Sequence, residues 1–298
     1  MIEFKRPELT DRELIQGYYD SYPSRSCERC FANNYLWSVQ EETAFAVVEG
    51  TLVFDSVYRG KTYFSWPAGP ENKVVEAIEA LDRYACDKLD QDLRFYHLTP
   101  SFFERLESLE PGRWQIVYDR DMADYIYERE KLSSLSGKKL HGKRNHINRF
   151  VEQNPDWHYE PISADNACDA EKVALRWRRE NGCDEDPAKR IESCIALRAI
   201  ELFDDLKLEG GILYTGIEPV AFTLGEPLCD DTFVIHIEKA VDGVQGAYPM
   251  INREFVRHAC EDYTYVNREE DTGAEGLRRA KMSYRPAFLE EKGIAARS

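Results

Sequence analysis

One order of predicted elements occurs twice along this chain: helix, three-strand meander, helix, strand, helix. In the first half, residues from 7 to about 37 are polar and helical in pattern, and Thr10-Asp11-Arg12-Glu13 supplies a capping box. Strands are predicted over 44–48, 51–58 and 62–65, separated by Glu49-Gly50 and Arg59-Gly60 turns. Apolar residues at 74, 75, 78, 81, 85 and 89 have helical spacing. A strand over 94–98, a helix over 100–109 and a strand over 114–118 follow. In the second half, helices are predicted over 170–180 and 188–206, and a meander over 211–214, 219–224 and 232–238. Next come a helix over 248–260, a strand over 263–267 and a helix over 273–284 that Pro286 stops. A repeated order without repeated residues argues for two copies of one α/β (α+β) fold, each a mixed sheet flanked by helices. The expected limits are 1–130 for the first domain, 131–155 for a basic linker helix, and 156–298 for a second domain carrying the active cleft.

With 43% hydrophobic and 12% aromatic residues the chain can bury a sizeable core, which excludes disorder. The N-terminal segment Met1-Ile2-Glu3-Phe4-Lys5-Arg6-Pro7 has no apolar signal-peptide core, and no run approaches the length of a membrane span. A soluble cytoplasmic protein without integral membrane contact is therefore expected. The eight cysteines have no disulfide framework, as suits a reducing compartment. Cys27 and Cys30 form the one CxxC pair; with no second ligand pair at metal spacing, it reads as two free thiols and no metal site is expected.

Charge singles out one segment. Between Lys131 and Val151 there are six Lys/Arg, two His and no carboxylate, in a chain of formal net charge −16. A compact basic strip in an acidic protein suggests a specific anionic ligand. On a helix, Leu140, Ile147, Phe150 and Val151 share one face, with Lys143 inside that stripe and Arg144 at its edge, whereas Arg149 and Lys138 face away. Cations on a packing face need an anionic partner. That partner is either a carboxylate of the acidic flanking domains or the phosphate of a ligand, and both readings stay open. His141 and His146 read first as ordinary hydrogen-bonding histidines.

A second dense patch runs from Tyr265 to Tyr284. A strand ends near Asn267, where ligands of α/β sheets usually bind, and Leu277, Lys281 and Tyr284 then recur at i, i+4 and i+7. Lys281 and Tyr284 can therefore point together toward the sheet, while Arg279 reads as a helix-surface pair. On the strand 232–238, His236 and Glu238 alternate with apolar residues; Glu238 is either a general base or an ion-pair partner. Gly243-Val244-Gln245-Gly246 precedes a helix and is a weak match to a pyrophosphate-binding turn.

The meander followed by helix, strand and helix resembles the acyl-CoA N-acyltransferase (GNAT-like) layout, in which two neighbouring strands splay apart to admit an acyl carrier. More specifically, GKKLHGKRNHINRF (137–150), EKAVDGVQGAYPMINREF (238–255) and NREEDTGAEGLRRAKMSY (267–284) resemble the soluble DUF2156 proteins, relatives of the phosphatidylglycerol lysyltransferase C-terminal domain. The resemblance covers almost the whole chain and implies two tandem GNAT-like folds. It implies transfer of an aminoacyl group from aminoacyl-tRNA to a lipid or other amine or hydroxyl acceptor. It places Lys139, Lys143, Arg144 and His146 near a donor or acceptor phosphate, and Asn267, Arg268, Lys281 and Tyr284 along the second-domain cleft. Glu238 is then a candidate base and Tyr284 a candidate acid. No resident cofactor is expected; aminoacyl-tRNA or acyl-CoA would be the co-substrate. The alternatives are an acetyl-CoA-dependent N-acyltransferase of a small amine and a non-catalytic anion- or RNA-binding protein.

Overall fold

The computed structural model describes residues 2–40 and 42–297. Its elements in chain order begin with α1 (Arg12–Ser21), α2 (Phe31–Ser38), β1 (Thr43–Val48), β2 (Thr51–Tyr58), β3 (Lys61–Phe64) and α3 (Glu71–Leu89). There follow β4 (Arg94–Leu98), α4 (Pro100–Leu109), β5 (Trp114–Tyr118), β6 (Asp124–Glu128), α5 (Arg129–Ser134), α6 (His141–Gln153) and β7 (Trp157–Pro161). Next are α7 (Ala167–Glu180), α8 (Pro187–Glu201), α9 (Phe203–Leu206), β8 (Glu209–Thr215), β9 (Glu218–Cys229) and β10 (Thr232–Ala240). The last are α10 (Ala247–Ala259), β11 (Tyr265–Asn267), α11 (Glu275–Ser283), β12 (Phe288–Glu290) and β13 (Gly293–Arg297). Among the described residues no helix is long and apolar enough to cross a membrane.

The chain divides into two compact units, one of Met1–Asp124, Glu270–Ala274 and Leu289–Ser298, the other of Tyr125–Glu269 and Glu275–Phe288. These limits differ from a division at 130 and 155. The basic helix α6 is part of the second unit, because Ile147 and Phe150 are buried and α6 packs on α10. The C-terminal strand β13 is part of the first unit, paired with β4 and β5.

The first unit holds a six-stranded sheet in the order β1-β2-β3-β4-β13-β5. The meander β1-β2-β3 is antiparallel, β3 and β4 are parallel, and β13 is antiparallel to both its neighbours. Both meander turns have the geometry their sequence predicts: Glu49 and Gly50 have φ of 49° and 80°, Arg59 and Gly60 of 51° and 72°. Two successive positive φ values match the right-handed twist of the flanking strands. Phe64, Trp66, Leu81, Phe95, Trp114 and Ala295 are among the residues of one buried core against α3. The helix start shifts from prediction: the capping box is Glu8 with Asp11, around a short 3-10 turn, and α1 follows it.

The second unit is built on a seven-stranded sheet in the order β12-β6-β11-β10-β9-β8-β7. Its meander β8-β9-β10 is antiparallel, β11 is parallel to β10, and β6 is antiparallel to β11. Both sheets thus follow one plan, a meander, a parallel strand and an antiparallel one. In each, that last strand comes from the other half of the sequence, β13 in the first sheet and β6 in the second. The expected helix over 188–206 divides into α8 and α9 at Leu202.

One departure from regular pairing positions everything that follows. The strands β10 and β11 pair only through Thr232↔Tyr265, Phe233↔Val266 and Val234↔Asn267. On its other side β10 remains paired with β9 as far as Ala240↔Ala221, with a register shift between Ile235 and Ile237. Beyond Asn267 the chain leaves β10, so residues 235–240 face an opening on that side.

Candidate functional site

Alternation along β10 sends successive side chains to opposite faces of the sheet. Lys239 points to the face covered by α7: its ammonium lies 4.0 Å over the Trp177 ring and pairs with Glu192. Glu238 points to the other face, beside the opening, and does not pair with Lys239. Its Oε1 accepts from Arg268 Nη2 at 2.8 Å and its Oε2 from Asn252 Nδ2 of α10 at 2.8 Å. Both carboxylate oxygens therefore already serve charged or amide donors.

Arg268 is the first residue past β11 and is held there by its backbone. Its N–H donates to Tyr125 O at 3.0 Å, and Lys281 Nζ donates to the carbonyls of Arg268 and Glu269 at 2.7 and 3.3 Å. Asn267, fully buried, accepts the Glu269 N–H at 2.6 Å and tightens the same turn, in which Glu269 has φ of 56°. Asn267 and Lys281 thus position the loop, and the Arg268 side chain projects into the opening. Its guanidinium lies 4.8 Å from the Tyr284 ring centroid and 5.7 Å from that of Tyr127. The Nη1 atom of Arg268 is buried without a hydrogen-bond partner among the described residues, as is Oδ1 of Asn252.

Lys143, from α6, completes the group. Its ammonium lies 3.9 Å from the Tyr284 ring centroid. Burial and the neighbouring Arg268 charge push its pKa down to about 8, although Glu238 opposes the shift. Burial raises the Tyr284 and Tyr127 hydroxyls well above their usual value, with Arg268 opposing in both. Tyr127 OH donates to Lys281 O at 2.8 Å, closing the floor of the site.

Of the residues singled out in the sequence, Glu238, Arg268, Tyr284 and Lys143 come together, with Asn267 and Lys281 supporting them. Three do not join them. The guanidinium of Arg144 donates to the carbonyls of Leu135 and, at 2.8 Å, Gly137, the turn before α6. His146 and Lys139 are exposed. The proposed pyrophosphate turn is also packed: a Cβ on Gly246, where φ is 89°, would lie 2.4 Å from the His146 carbonyl oxygen. Gly246 therefore allows α6 to approach the start of α10.

Sequence reasoning missed Asn252 and Tyr127. Asn252 is a polar residue among the buried positions of α10, and Tyr125 and Tyr127 alternate within Asp124–Glu128, a strand left unassigned. A third group was also missed: His236 lies between two carboxylates, Nδ1 2.7 Å from Glu269 Oε1 and Nε2 3.0 Å from Glu226 Oε1.

In the first unit, Cys27, Asp124 and Glu270 offer ligand atoms within 4.8 Å of one another. The ammonium of Lys292, itself 1% exposed, already sits among them, 2.8 Å from Asp124 and 3.5 Å from Cys27 Sγ. Burial opposes its charge, but Asp124 and its acidic neighbours more than offset this and raise its pKa well above the ordinary value. Burial likewise raises the Cys27 thiol. A metal ion would have to displace a matched cation and ionise a reluctant thiol, so these residues do not fit one. All eight cysteines are unbridged.

Comparison with known proteins follows the same lines. The family described as phosphatidylglycerol lysyltransferase, C-terminal, matches residues 19–296. The chain is 37% identical to a conserved protein of unknown function from Bacteroides thetaiotaomicron, with a TM-score of 0.93 and complete coverage of both chains. The C-terminal DUF2156 domain of a protein assigned as a lysylphosphatidylglycerol synthetase from Agrobacterium fabrum shares the fold. There the TM-score is 0.69 at 12% identity, over 96% of this chain and 91% of that one. An uncharacterized protein of Mycoplasmoides gallisepticum is 30% identical over 182 residues, 59% of this chain; the match spans just over half of that relative, 56%.

Proposed function

Because the chain belongs to the family of phosphatidylglycerol lysyltransferase C-terminal domains, we propose that it transfers an aminoacyl group from aminoacyl-tRNA to a lipid or other amine or hydroxyl acceptor, in the opening between β10 and the chain after β11. The observation that carries this reading is the Nη1 of Arg268, a buried charged donor without a hydrogen-bond partner among the described residues. Such a donor suits the oxygen that becomes negative when an ester carbonyl is attacked.

In the proposed reaction the acceptor oxygen or nitrogen attacks the aminoacyl carbonyl carbon. A bond from acceptor to carbon forms, the carbonyl oxygen takes up the charge beside Arg268, and the ester bond to the tRNA ribose then breaks. The acceptor's proton must reach the departing ribose oxygen. Lys143, with its pKa near 8, is the group suited to taking and returning it. Glu238 is better suited to holding Arg268 than to abstracting a proton, since both its oxygens already accept hydrogen bonds. Tyr284 keeps its proton and separates the Lys143 and Arg268 charges with its ring.

The test is transfer of a radiolabelled aminoacyl group from tRNA to acceptors supplied in parallel, phosphatidylglycerol vesicles and soluble amines. Arg268→Lys should lower turnover by 100-fold or more, the scale of one lost oxyanion donor. Consumption of acetyl-CoA without any from charged tRNA would overturn the aminoacyl reading in favour of a small-amine acetyltransferase. Loss of neither on substituting Arg268 would overturn the site.

A further inference from the structure

The first unit contains a small pocket lined by residues from α1, α2, β4 and α4 and by the chain after β3; Tyr19, Arg29, Trp66, His97 and Phe102 form its walls. Its hydrogen-bonding groups are unevenly matched. Glu28, the acid on the wall, is already satisfied: its Oε1 accepts from Lys292 Nζ at 2.6 Å, and its other oxygen accepts from Ser26. Burial opposes the charge of Glu28, but His97, Lys292 and the Ser26 hydrogen bond together keep its pKa well below the ordinary carboxylate value, while burial lowers that of His97 to about 4.

The Trp66 donor is not matched in this way. Arg29 is 5% exposed, and its Nη2 donates to the Trp66 carbonyl at 3.0 Å. Its guanidinium is held flat against two rings, 4.8 Å from the Phe102 centroid and 5.5 Å from that of Tyr19. Trp66 is 3% exposed, its ring stacked on Phe102 at 5.5 Å, and its Nε1–H has no partner among the described residues. A buried indole N–H without an acceptor, on the same wall as a buried guanidinium, represents an uncompensated desolvation that an anion would relieve. Arg105, already paired with Glu71, lies 5.6 Å from the Trp66 ring.

We propose that this pocket binds a compact carboxylate, one oxygen of which accepts from Trp66 Nε1 and the other from the Arg29 guanidinium. A planar carboxylate matches the planar fork of arginine, and the stacked rings of Trp66 and Phe102 form an apolar wall for whatever short chain the carboxylate bears. This site belongs to the first unit and is independent of the transfer reaction.

The test uses the full chain labelled with ¹⁵N. Of its five tryptophan indole resonances, the one lost in Trp66→Phe identifies Trp66. Titration with acetate should move that resonance saturably and leave the other four in place, while chloride at equal ionic strength leaves all five unmoved. Arg29→Gln should weaken binding tenfold or more, and Arg29→Lys, which retains the charge but not the fork, should weaken it as well. If Arg29→Gln does not fold, calorimetry of acetate binding to Trp66→Phe, which keeps the stacked ring, should show the same loss. A resonance that moves with inorganic phosphate and not with acetate would overturn the carboxylate assignment. An absence of saturable movement with either, or undiminished binding by both Trp66→Phe and Arg29→Lys, would overturn the site.

Discussion

Lys143 and Arg144 are adjacent in sequence and identical in formal charge, yet they do different work. Arg144 ties the turn before α6 through two carbonyls. Arg144→Ala should therefore lower unfolding free energy by about 1–3 kcal/mol, measured in urea, with ligand binding in the second unit unchanged. Lys143 stands over an aromatic ring, its pKa lowered to about 8 from the ordinary 10.5. Between these values the unfolded chain holds a proton that the folded chain has released, so the residue's contribution to stability rises with pH across that window. Wild type should accordingly gain stability relative to Lys143→Met between pH 8 and pH 10, by denaturation at each pH; a constant difference would contradict the shifted pKa. Helical projection was enough to single out both residues, because it reports which face a side chain occupies. It could not separate them, since the acceptors of Arg144 are backbone carbonyls and leave no trace in residue types.

At the scale of elements, the meanders were legible because alternation and two-residue Gly turns are local signals. The strands β6, β7, β12 and β13 were not. β12 and β13 are three and five residues long, and β13 reads Gly-Ile-Ala-Ala-Arg, too short and small to show a two-residue period. Their pairing comes from partners distant in sequence, which no local pattern records. The opening between β10 and β11 was expected from resemblance, and its residues Glu238, Arg268 and Tyr284 were named from two separate segments. Asn252 escaped notice because a buried asparagine is recognised only when its partner, Glu238, is in place. The contact of α6 with the start of α10 depends on Gly246. Gly246→Ala adds a Cβ 2.4 Å from the His146 carbonyl at a φ of 89°, so a loss of roughly 2–3 kcal/mol is expected by thermal or urea unfolding.

At the scale of the whole molecule, the repeated architecture was readable but the exchange of strands between the two halves was not. Repetition appears in element order, whereas β13 and β6 occupy sheets that their sequence neighbours do not predict. The buried cluster beside β13 makes the exchange costly to disturb. Lys292 is 1% exposed and contacts Asp124, itself fully buried, at 2.8 Å. Lys292→Met removes the cation and leaves a buried carboxylate unmatched, so a loss of about 3–5 kcal/mol is expected, most of it recovered in the double variant Lys292→Met, Asp124→Asn.

Strand β13 (Gly293–Arg297) lies between β4 and β5, yet it is synthesised long after β4 (Arg94–Leu98) and β5 (Trp114–Tyr118). On the ribosome the first sheet therefore emerges with an unfilled slot and two unpaired edges, and stays so until β13 has emerged. Nascent chains stalled before residue 293 should accordingly remain protease-sensitive over residues 43–118, and chaperones that shield exposed strand edges should associate with them until β13 emerges.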